Sequence, residues 1–269
     1  MARLKKHKIT TVSLIIPAYK QEKTIQKDIK QIKKTMSSIR FNYEIIVVVD
    51  GIIDNTFKNA QKLASQNIKI VGYKHNHGKG YAVRYGMANA KGNLIAFLDS
   101  GMDINPNGLS LILEDFTWRN ADIIIGSKLH RLSKVKYPVQ RKILSWGYRM
   151  ITKSLFGLGV QDTQVGLKVF RRQVLEDVLP RLLVKRYAFD IEMLVVAYNL
   201  GYKRIFEAPI EITFSQWSSI TSKNFLKLII LMLWDTLAVF YRLKILHYYS
   251  NENRRKWRYD PELNFRVNI

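Results

Sequence analysis

Five short apolar runs alternate with amphipathic segments through the first half of the chain. Each run is nearly continuous in apolar residues and rich in Val and Ile, which is typical of strands buried on both faces of a sheet. The segments between them, such as residues 20–38 and 78–90, carry apolar residues at helical spacing. The runs are residues 11–19 (TVSLIIPAY), 43–50 (YEIIVVVD), 68–74 (IKIVGYK), 94–99 (LIAFLD) and 121–127 (ADIIIGS). This alternation predicts an α/β fold with a mostly parallel central sheet flanked by helices.

Polar and glycine residues follow the first four runs, at the points where the predicted strands end. Because ligands of open α/β sheets bind at the carboxyl ends of the strands, these residues are candidates for a binding site. At or just after the run ends they are Pro17, Ala18, Tyr19 and Glu22 for the first run, Asp50, Gly51 and Asp54 for the second, His75, Asn76, Gly78, Lys79 and Gly80 for the third, and Asp99 and Asp103 for the fourth.

Carboxylates at strand ends, beside a glycine-rich loop that bears a lysine, suit a metal-chelated diphosphate. Mg²⁺ takes oxygen ligands, usually one or two carboxylates together with phosphate oxygens and waters. Asp99 and Asp103 are four residues apart, and Gly101 between them accepts the positive φ that lets a loop turn back. The two carboxylates can therefore reach one divalent cation.

The chain of 269 residues is strongly basic, with 44 Lys and Arg against 21 Asp and Glu and a formal net charge of +23. Such an excess favours an anionic partner, which can be a nucleic acid, an acidic membrane surface or a phosphorylated substrate. The absence of cysteine excludes disulfides, thiolate metal sites and a cysteine nucleophile. The first apolar stretch is short and holds a proline, so we interpret residues 1–10 as a basic leader before the first strand rather than as a signal peptide.

A long apolar segment, residues 223–244 (KNFLKLIILMLWDTLAVFYRLK), is interrupted by charge. A transmembrane helix needs about 20 predominantly apolar residues, and a charge in mid-span is costly. On a helix the charged positions would fall within about 120° of one another, opposite a broad apolar surface. They are Lys223, Lys227, Asp235 and Arg242. The pattern favours a helix lying in the membrane interface, with an ordinary packing helix of the core as the alternative.

Five motifs, in order along the chain, resemble those of the family 2 glycosyltransferases with the GT-A fold, especially the polyprenyl-phosphate (dolichyl-phosphate) glycosyltransferases. LIIPAYKQEKTI resembles the family's opening strand and nucleotide loop, VVVDGIIDNT its VDDGSxDGT element, and HNHGKGYAVRYGMANAKGN its N-x-G-K-G-x-A-x-R-x-G element. DTQVGLKVFRR, residues 162–172, resembles DTQxGFKxFRR, and YAFDIEML resembles WAFDxELL. The resemblance implies a GT-A domain over residues 11–216. The pattern of charged and apolar residues predicts an amphipathic juxtamembrane helix at 222–249 and a basic tail at 250–269 after it.

The resemblance also implies an activity and its residues. The activity is inverting transfer of a hexose from UDP-glucose or GDP-mannose to a polyprenyl or dolichyl phosphate, by a peripheral protein at the cytoplasmic face of an anionic membrane surface. The implied nucleotide-sugar ligands are Pro17, Ala18, Tyr19, Glu22, Asp50, Asn76, Gly78, Lys79, Asp99 and Ser100. The implied catalytic residues are Asp162, Gln164 and Asp103, and the implied acceptor phosphate ligands are Lys128, Arg131 and Arg141.

The metal site departs from the family pattern. The family usually has Asp-x-Asp at this strand end, and here Gly101 stands at the second Asp position. In related enzymes the residue two further along can also face the metal, which implies that Asp99 and Asp103 hold Mg²⁺ or Mn²⁺ on the donor diphosphate. The alternative is a degenerate, metal-free or inactive site.

Several of these residues have a second interpretation. Asp50 binds the base or ribose of the nucleotide, or is a turn residue. Lys79 and Arg84 serve the diphosphate or are merely solvated. Asp190 and Glu192 flank the start of an apolar helix, where a capping role is natural.

Other functions compete with hexose transfer to a lipid phosphate. A nucleic-acid-binding protein lacks support, because the chain has no zinc spacing, no RNP-like strand and no basic helix with a dimerisation heptad. A processive polysaccharide synthase usually carries Q-x-x-R-W, which QRKILSW at residues 140–146 does not match. A sugar-nucleotide binder without catalysis, and a transferase with a non-lipid acceptor, both remain open.

Overall fold

The computed structural model describes residues 11–100, 104–135, 139–186, 188–212 and 225–257, without the side chains of 139–144, 225–228 and 256. All five predicted strands are present, as are helices within the predicted segments 20–38 and 78–90. The strands are β1 (Thr11–Ala18), β2 (Asn42–Asp50), β3 (Ile68–Tyr73), β4 (Leu94–Leu98), β5 (Ile123–Ser127), β6 (Lys134–Val135), β7 (Leu167–Arg171), β8 (Ile205–Pro209) and β9 (Glu211–Ile212). The helices are α1 (Ile25–Ser37), α2 (Thr56–Gln61), α3 (Lys79–Asn89), α4 (Gly108–Trp118), α5 (Val139–Phe156), α6 (Arg172–Val178), α7 (Phe189–Asn199) and α8 (Phe225–Lys244).

The central sheet has seven strands in the order β3-β2-β1-β4-β7-β5-β8. Strands β1 to β4 pair in parallel with one another, and β5 pairs in parallel with β8. Strand β7 lies between β4 and β5 and runs antiparallel to both. The prediction of a mostly parallel sheet flanked by helices is therefore confirmed, with β7 and β8 as the strands of this sheet that the apolar runs did not reveal. Strands β6 and β9 form a separate two-stranded sheet.

Alternate residues of the strands point to opposite faces of the sheet, and each face is covered by its own helices. On β1, Leu14 and Ile16 pack with apolar residues of α1, α2 and α4. Ile15 points the other way and packs with apolar residues of α3, α6, α7 and α8. The short runs are apolar at nearly every position because both faces are buried. The parallel strands end at one edge, which is where the site forms.

The segment after α8 folds back onto the domain. Tyr249 is fully buried, and its carbonyl oxygen accepts a hydrogen bond from Arg181 Nε at 2.9 Å. The Arg181 guanidinium also lies 4.1 Å from the ring centroid of Trp257. Residues 250–257, which the sequence assigns to a basic tail, thus pack against the residues after α6. Across the described ranges, none of the helices combines the length and apolarity that crossing a membrane requires.

Candidate active site

A cleft of about 450 Å³ opens at the carboxyl ends of β1, β2 and β4. These strands are parallel and adjacent, so the residues that follow them meet at one edge of the sheet. Every predicted nucleotide-sugar ligand except Glu22 lines this cleft. The lining residues are Pro17, Ala18, Tyr19, Gln21, Asp50, Asn76, Gly78, Lys79, Asp99, Ser100 and Arg186.

Three residues differ from the sequence-based prediction of which residues line this cleft. Glu22 lies outside it, with Oε2 accepting hydrogen bonds from Asn55 N and Nδ2 at 3.2 and 3.3 Å. Gln21 and Arg186 line the cleft although the sequence did not single them out. Gln21 follows the end of the predicted first strand by two residues, and Arg186 stands directly before the YAFDIEML motif. That adjacency is the one signal that could have drawn attention to Arg186.

Asp50 organises the loop after β3 through both carboxylate oxygens. Oδ1 accepts hydrogen bonds from Tyr73 Oη at 2.9 Å and from His77 N at 2.8 Å. Oδ2 accepts from Asn76 Nδ2 at 2.8 Å and from Gly78 N at 3.0 Å. With four hydrogen bonds already made, this carboxylate fixes the shape of the glycine-rich loop that borders the cleft.

A chain of alternating charges runs from the cleft into the core. Lys79 Nζ lies 2.9 Å from Asp99 Oδ2 and 3.6 Å from Asp190 Oδ2. Lys168 is fully buried, and its Nζ donates to Asp190 Oδ1 at 2.5 Å and to the Val165 carbonyl oxygen at 2.6 Å. Buried charges are tolerated when they are paired and hydrogen-bonded in this way. The cluster holds the Asp99 carboxylate at the floor of the cleft.

The charged state of this cluster follows from burial and from its partners. Burial opposes the charge on Lys79, but Asp190 and Asp99 outweigh that cost and hold its pKa above the ordinary value. Burial also acts to raise the pKa of Asp190, but Lys168 and Lys79 outweigh it and hold that pKa below the ordinary value. Burial lowers the pKa of Lys168 and raises that of Asp99. Lys79 is therefore positively charged and pairs with the carboxylates of Asp99 and Asp190.

Asp99 has features that suit a divalent cation. Its Oδ1 is buried and has no hydrogen-bond partner among the described residues. In the described ranges no group of three His, Asp or Glu residues could hold a metal unaided. One carboxylate oxygen together with phosphate oxygens and waters is a usual environment of Mg²⁺, so Asp99 fits a metal that arrives with a diphosphate. Gly101 and Asp103 lie outside the described residues.

Gly166 lets the loop before β7 pass directly beneath Asp99. The Gly166 carbonyl oxygen accepts a hydrogen bond from Asp99 N at 2.8 Å. A Cβ added at Gly166 would lie 1.9 Å from Asp99 Oδ2, so only glycine fits below this carboxylate. The DTQVG segment is thus held beside the cleft.

Asp162 and Gln164, the predicted catalytic residues of that segment, bond to Lys128 and to α5, where predicted acceptor ligands lie. Asp162 Oδ2 accepts from Lys128 N at 2.8 Å, and Oδ1 lies 3.4 Å from Lys128 Nζ. Gln164 Nε2 lies 3.5 Å from Tyr148 Oη, which is 3.0 Å from Thr236 Oγ1 of α8. Burial raises the pKa of Tyr148 to about 12, so its hydroxyl stays protonated. The structure therefore joins Asp162 with Lys128, and Gln164 with α5 and α8.

The remaining basic candidates are more dispersed. Arg131 is exposed in the loop before β6. Arg141 belongs to the first turn of α5, and its side chain lies outside the described part of the structure. Arg84 is only 5% exposed and its Nη2 lies 3.5 Å from the Leu179 carbonyl oxygen, so its interpretation as a solvated residue is wrong.

Asp190 and Glu192 lie in the first turn of α7, but neither caps it. Asp190 bonds to Lys168, as described above. Glu192 is fully buried, and its carboxylate accepts from Leu183 N and Val184 N at 2.9 to 3.1 Å and from Tyr249 Oη at 2.8 Å. The capping interpretation is corrected: Glu192 instead ties the loop before α7 to the segment after α8.

Helix α8 has an apolar outer face. Its inward residues Thr236 and Val239 are fully buried, and α8 packs on α5 and α7. Of the predicted polar stripe, Asp235 and Arg242 are partly buried, and Arg242 Nη1 lies 3.4 Å from Glu192 Oε1. The exposed residues include Ile230, Leu231, Trp234, Leu237 and Tyr241. The predicted helix is therefore present, and its outward surface is apolar where that of an ordinary surface helix is polar.

Comparison with known proteins identifies relatives over most of the chain. Residues 13–179 match the family model described as glycosyl transferase family 2. The chain is 31% identical over 205 residues to a dolichyl-phosphate beta-glucosyltransferase of Dictyostelium discoideum, covering 71% of this chain and 63% of the relative. It is 31% identical over 225 residues to the Homo sapiens protein of that name, covering 78% of this chain and 68% of the relative. The chain thus spans less than two thirds of the Dictyostelium relative.

Solved structures share the fold at lower sequence identity. Glucosyl-3-phosphoglycerate synthase from Mycobacterium tuberculosis, in complex with Mn²⁺, UDP and glucosyl-3-phosphoglycerate, has a TM-score of 0.66 and 18% identity. That match covers 86% of this chain and 80% of the other. The same synthase with Mg²⁺ and UDP has a TM-score of 0.63 and 17% identity, covering 86% of this chain and 78% of the other.

Proposed function

Because the chain belongs to glycosyltransferase family 2, we propose that it transfers glucose from UDP-glucose to a polyprenyl phosphate of the dolichyl type. The observation that carries the proposal is the cleft at the strand ends, where Asp50, Lys79 and Asp99 meet beside the DTQVG segment. The names of the Dictyostelium and human relatives support glucose over mannose and a lipid phosphate over a non-lipid acceptor.

Different residues of the cleft bind different parts of the donor. Asp50 shapes the loop of residues 76–78 against which the nucleotide lies. Lys79 engages Asp99 Oδ2 and is held in turn by Asp190, while Asp99 Oδ1 has no hydrogen-bond partner among the described residues and is the oxygen available to a cation. Mg²⁺ or Mn²⁺, held by Asp99 and by the predicted ligand Asp103, would neutralise negative charge on the departing diphosphate.

A phosphate acceptor explains why no strong general base is needed. A phosphate monoester has a second pKa near 6, so the acceptor oxygen is already anionic at neutral pH. The protein must instead bring two phosphate groups together against their repulsion. Lys128, held by Asp162, can supply positive charge on the acceptor side, with the predicted ligands Arg131 and Arg141. Displacement at the anomeric carbon from the opposite side would invert its configuration.

A lipid-linked acceptor requires access to a bilayer, and α8 supports this. Its exposed face carries Trp234, Leu237 and Tyr241, while the chain as a whole is strongly basic. Apolar side chains on an interfacial helix, together with nearby positive charge, favour an anionic membrane surface. We propose that α8 lies in that surface and that the protein associates with it peripherally, at the cytoplasmic face.

The test is a transfer assay with the purified chain of 269 residues, dispersed dolichyl phosphate, Mn²⁺ or Mg²⁺, and radiolabelled UDP-glucose, GDP-mannose and UDP-GlcNAc in parallel. We expect lipid-extractable label from UDP-glucose, lost with EDTA and in Asp99→Asn and Asp103→Ala. Label from GDP-mannose alone would overturn the assignment of the donor. Nucleotide binding without transfer from any donor would instead indicate a sugar-nucleotide binder without catalysis.

A further inference from the structure

The donor cleft needs a cation that is not already neutralised. Lys79, the lysine of the glycine-rich loop, has Asp99 at 2.9 Å and Asp190 at 3.6 Å. With Lys168 also bound to Asp190, the two lysines and the two carboxylates form a cluster of no net charge before any ligand arrives. A nucleoside diphosphate brings at least two negative charges of its own. A further positive group in the cleft would stabilise these charges through charge-assisted hydrogen bonds.

Arg186 lines the cleft and carries a positive charge that no described carboxylate pairs with. Its side chain is exposed and lines the cleft, and within the described ranges its guanidinium makes no hydrogen bond or ion pair. Its stem packs across the glycine-rich loop, because a Cβ added at Gly78 would lie 3.1 Å from Arg186 Cγ. Its charge also acts at longer range on Asp235, where burial raises the carboxyl pKa and Arg242 and Arg186 oppose the rise.

We infer that Arg186 binds the donor's diphosphate and that Glu192 positions it, an inference that rests on the proposed function. The planar guanidinium presents two parallel N–H groups to phosphate oxygens, a geometry that an ammonium cannot reproduce. Arg186 borders the same space as Asn76, Gly78 and Asp99, so its target is the donor rather than the lipid phosphate.

Glu192 positions Arg186 through the backbone of the loop before α7. The buried carboxylate accepts hydrogen bonds from Leu183 N and Val184 N, three and two residues before Arg186. On the other side of the loop, the Lys185 carbonyl oxygen accepts from Tyr81 N at 3.3 Å. The loop is therefore fixed between α7 and the start of α3. Tyr249 and Arg242 hold Glu192 from the C-terminal side.

The primary test is calorimetric titration of the full chain with UDP and with GDP, without acceptor, once with Mn²⁺ and once with EDTA. We expect Arg186→Gln to weaken binding roughly tenfold to a hundredfold in both conditions, as loss of a charged hydrogen bond does. Arg186→Lys is expected to recover part of the affinity. Lys30→Gln removes the same charge from the exposed side of α1 and should leave the dissociation constant unchanged.

The positioning role is tested by combining variants. Glu192→Gln should weaken nucleotide binding in the native background and have no further effect in Arg186→Gln, since it acts through that residue. Equal weakening in both backgrounds would reduce Glu192 to a purely structural role and overturn this part. If Glu192→Gln does not fold, Tyr249→Phe removes one hydrogen bond to Glu192 and serves in the same comparison.

Other outcomes separate the inference from the proposed function. If Arg186→Gln leaves nucleotide affinity unchanged but raises the KM for dolichyl phosphate, Arg186 serves the acceptor and the inference is wrong while the proposed function stands. If the native chain binds neither nucleotide in either condition, the proposed function fails as well.

Discussion

Lys168 is the residue on which the charge cluster depends. Its ammonium lies in the core between Asp190 and the Val165 carbonyl oxygen, and its Nζ is 5.2 Å from the Phe97 ring centroid. Asp190 in turn shares Lys79 with Asp99. A charge buried this deeply keeps its place only through its partners.

Removal of the Lys168 charge should destabilise the fold. We expect Lys168→Met to lower the free energy of unfolding by about 3–5 kcal/mol, because Asp190 is left as a buried charge with one partner fewer. Urea denaturation measures the change. Lys69→Met, an exposed lysine on β3, is the matched control and should change stability by less than about 0.5 kcal/mol. A small loss in Lys168→Met would mean that Lys79 alone compensates Asp190.

A second prediction concerns the glycine below Asp99. We expect Gly166→Ala to displace the Asp99 carboxylate and to lower the transfer rate about 100-fold, since an ångström of misplacement at a reacting site costs that much. Gly159→Ala is the control, because an added Cβ there meets nothing within 4 Å. Steady-state transfer from UDP-glucose measures both, and near-native activity of Gly166→Ala would contradict the role of this contact.

At the scale of elements, the sequence revealed β1 to β5 because a strand buried on both faces is a continuous apolar run. Strand β7 (LKVFR) was not predicted, because Lys168 and the terminal Arg171 interrupt its apolar pattern. Its partners β4 and β5 are also distant from it in sequence. The strand-end residues of the cleft were predictable since parallel strands end at one edge. Arg186 was not, because it lies in a loop that has no periodic pattern.

Helix α8 carries a prediction of its own. We expect Trp234→Gln combined with Leu237→Gln to lower partition of the protein onto phosphatidylserine-containing vesicles roughly tenfold or more, because each side chain loses apolar burial. Trp234 is 71% exposed. Trp118→Gln is the control, since Trp118 is 81% exposed on α4 at the other face of the sheet. Vesicle sedimentation measures partition, and equal effects of both changes would argue against α8 as the docking element.

The molecule as a whole is one folding unit that includes its C-terminal part. Val239, Leu243 and Tyr249 belong to the same buried cluster as the helices beside the cleft. Arg181 and Trp257 add a further contact. The predicted boundary of the transferase domain at residue 216 therefore lies upstream of residues that fill its core.

Truncation tests that boundary. We expect a chain ending at residue 216 to lose roughly 5 kcal/mol or more of its stability, a large part of the about 5–15 kcal/mol typical of a native protein. A chain ending at residue 257 removes only residues 258–269 and is the control. Limited proteolysis and thermal unfolding distinguish the two. A stable, nucleotide-binding fragment 1–216 would show that the C-terminal part is dispensable.

The hydrogen bond between Tyr249 and Glu192 joins residues 57 positions apart, and it sets an order of events during synthesis. At about 5–20 residues per second, the ribosome needs about 3–11 seconds to add those residues after Glu192 is made. Throughout that interval the Glu192 carboxylate and the core surface that Tyr249 will cover lack their final partners. The loop before α7 can gain this last support only after residue 249 has been made, so the earlier part of the nascent chain is a candidate client for chaperones.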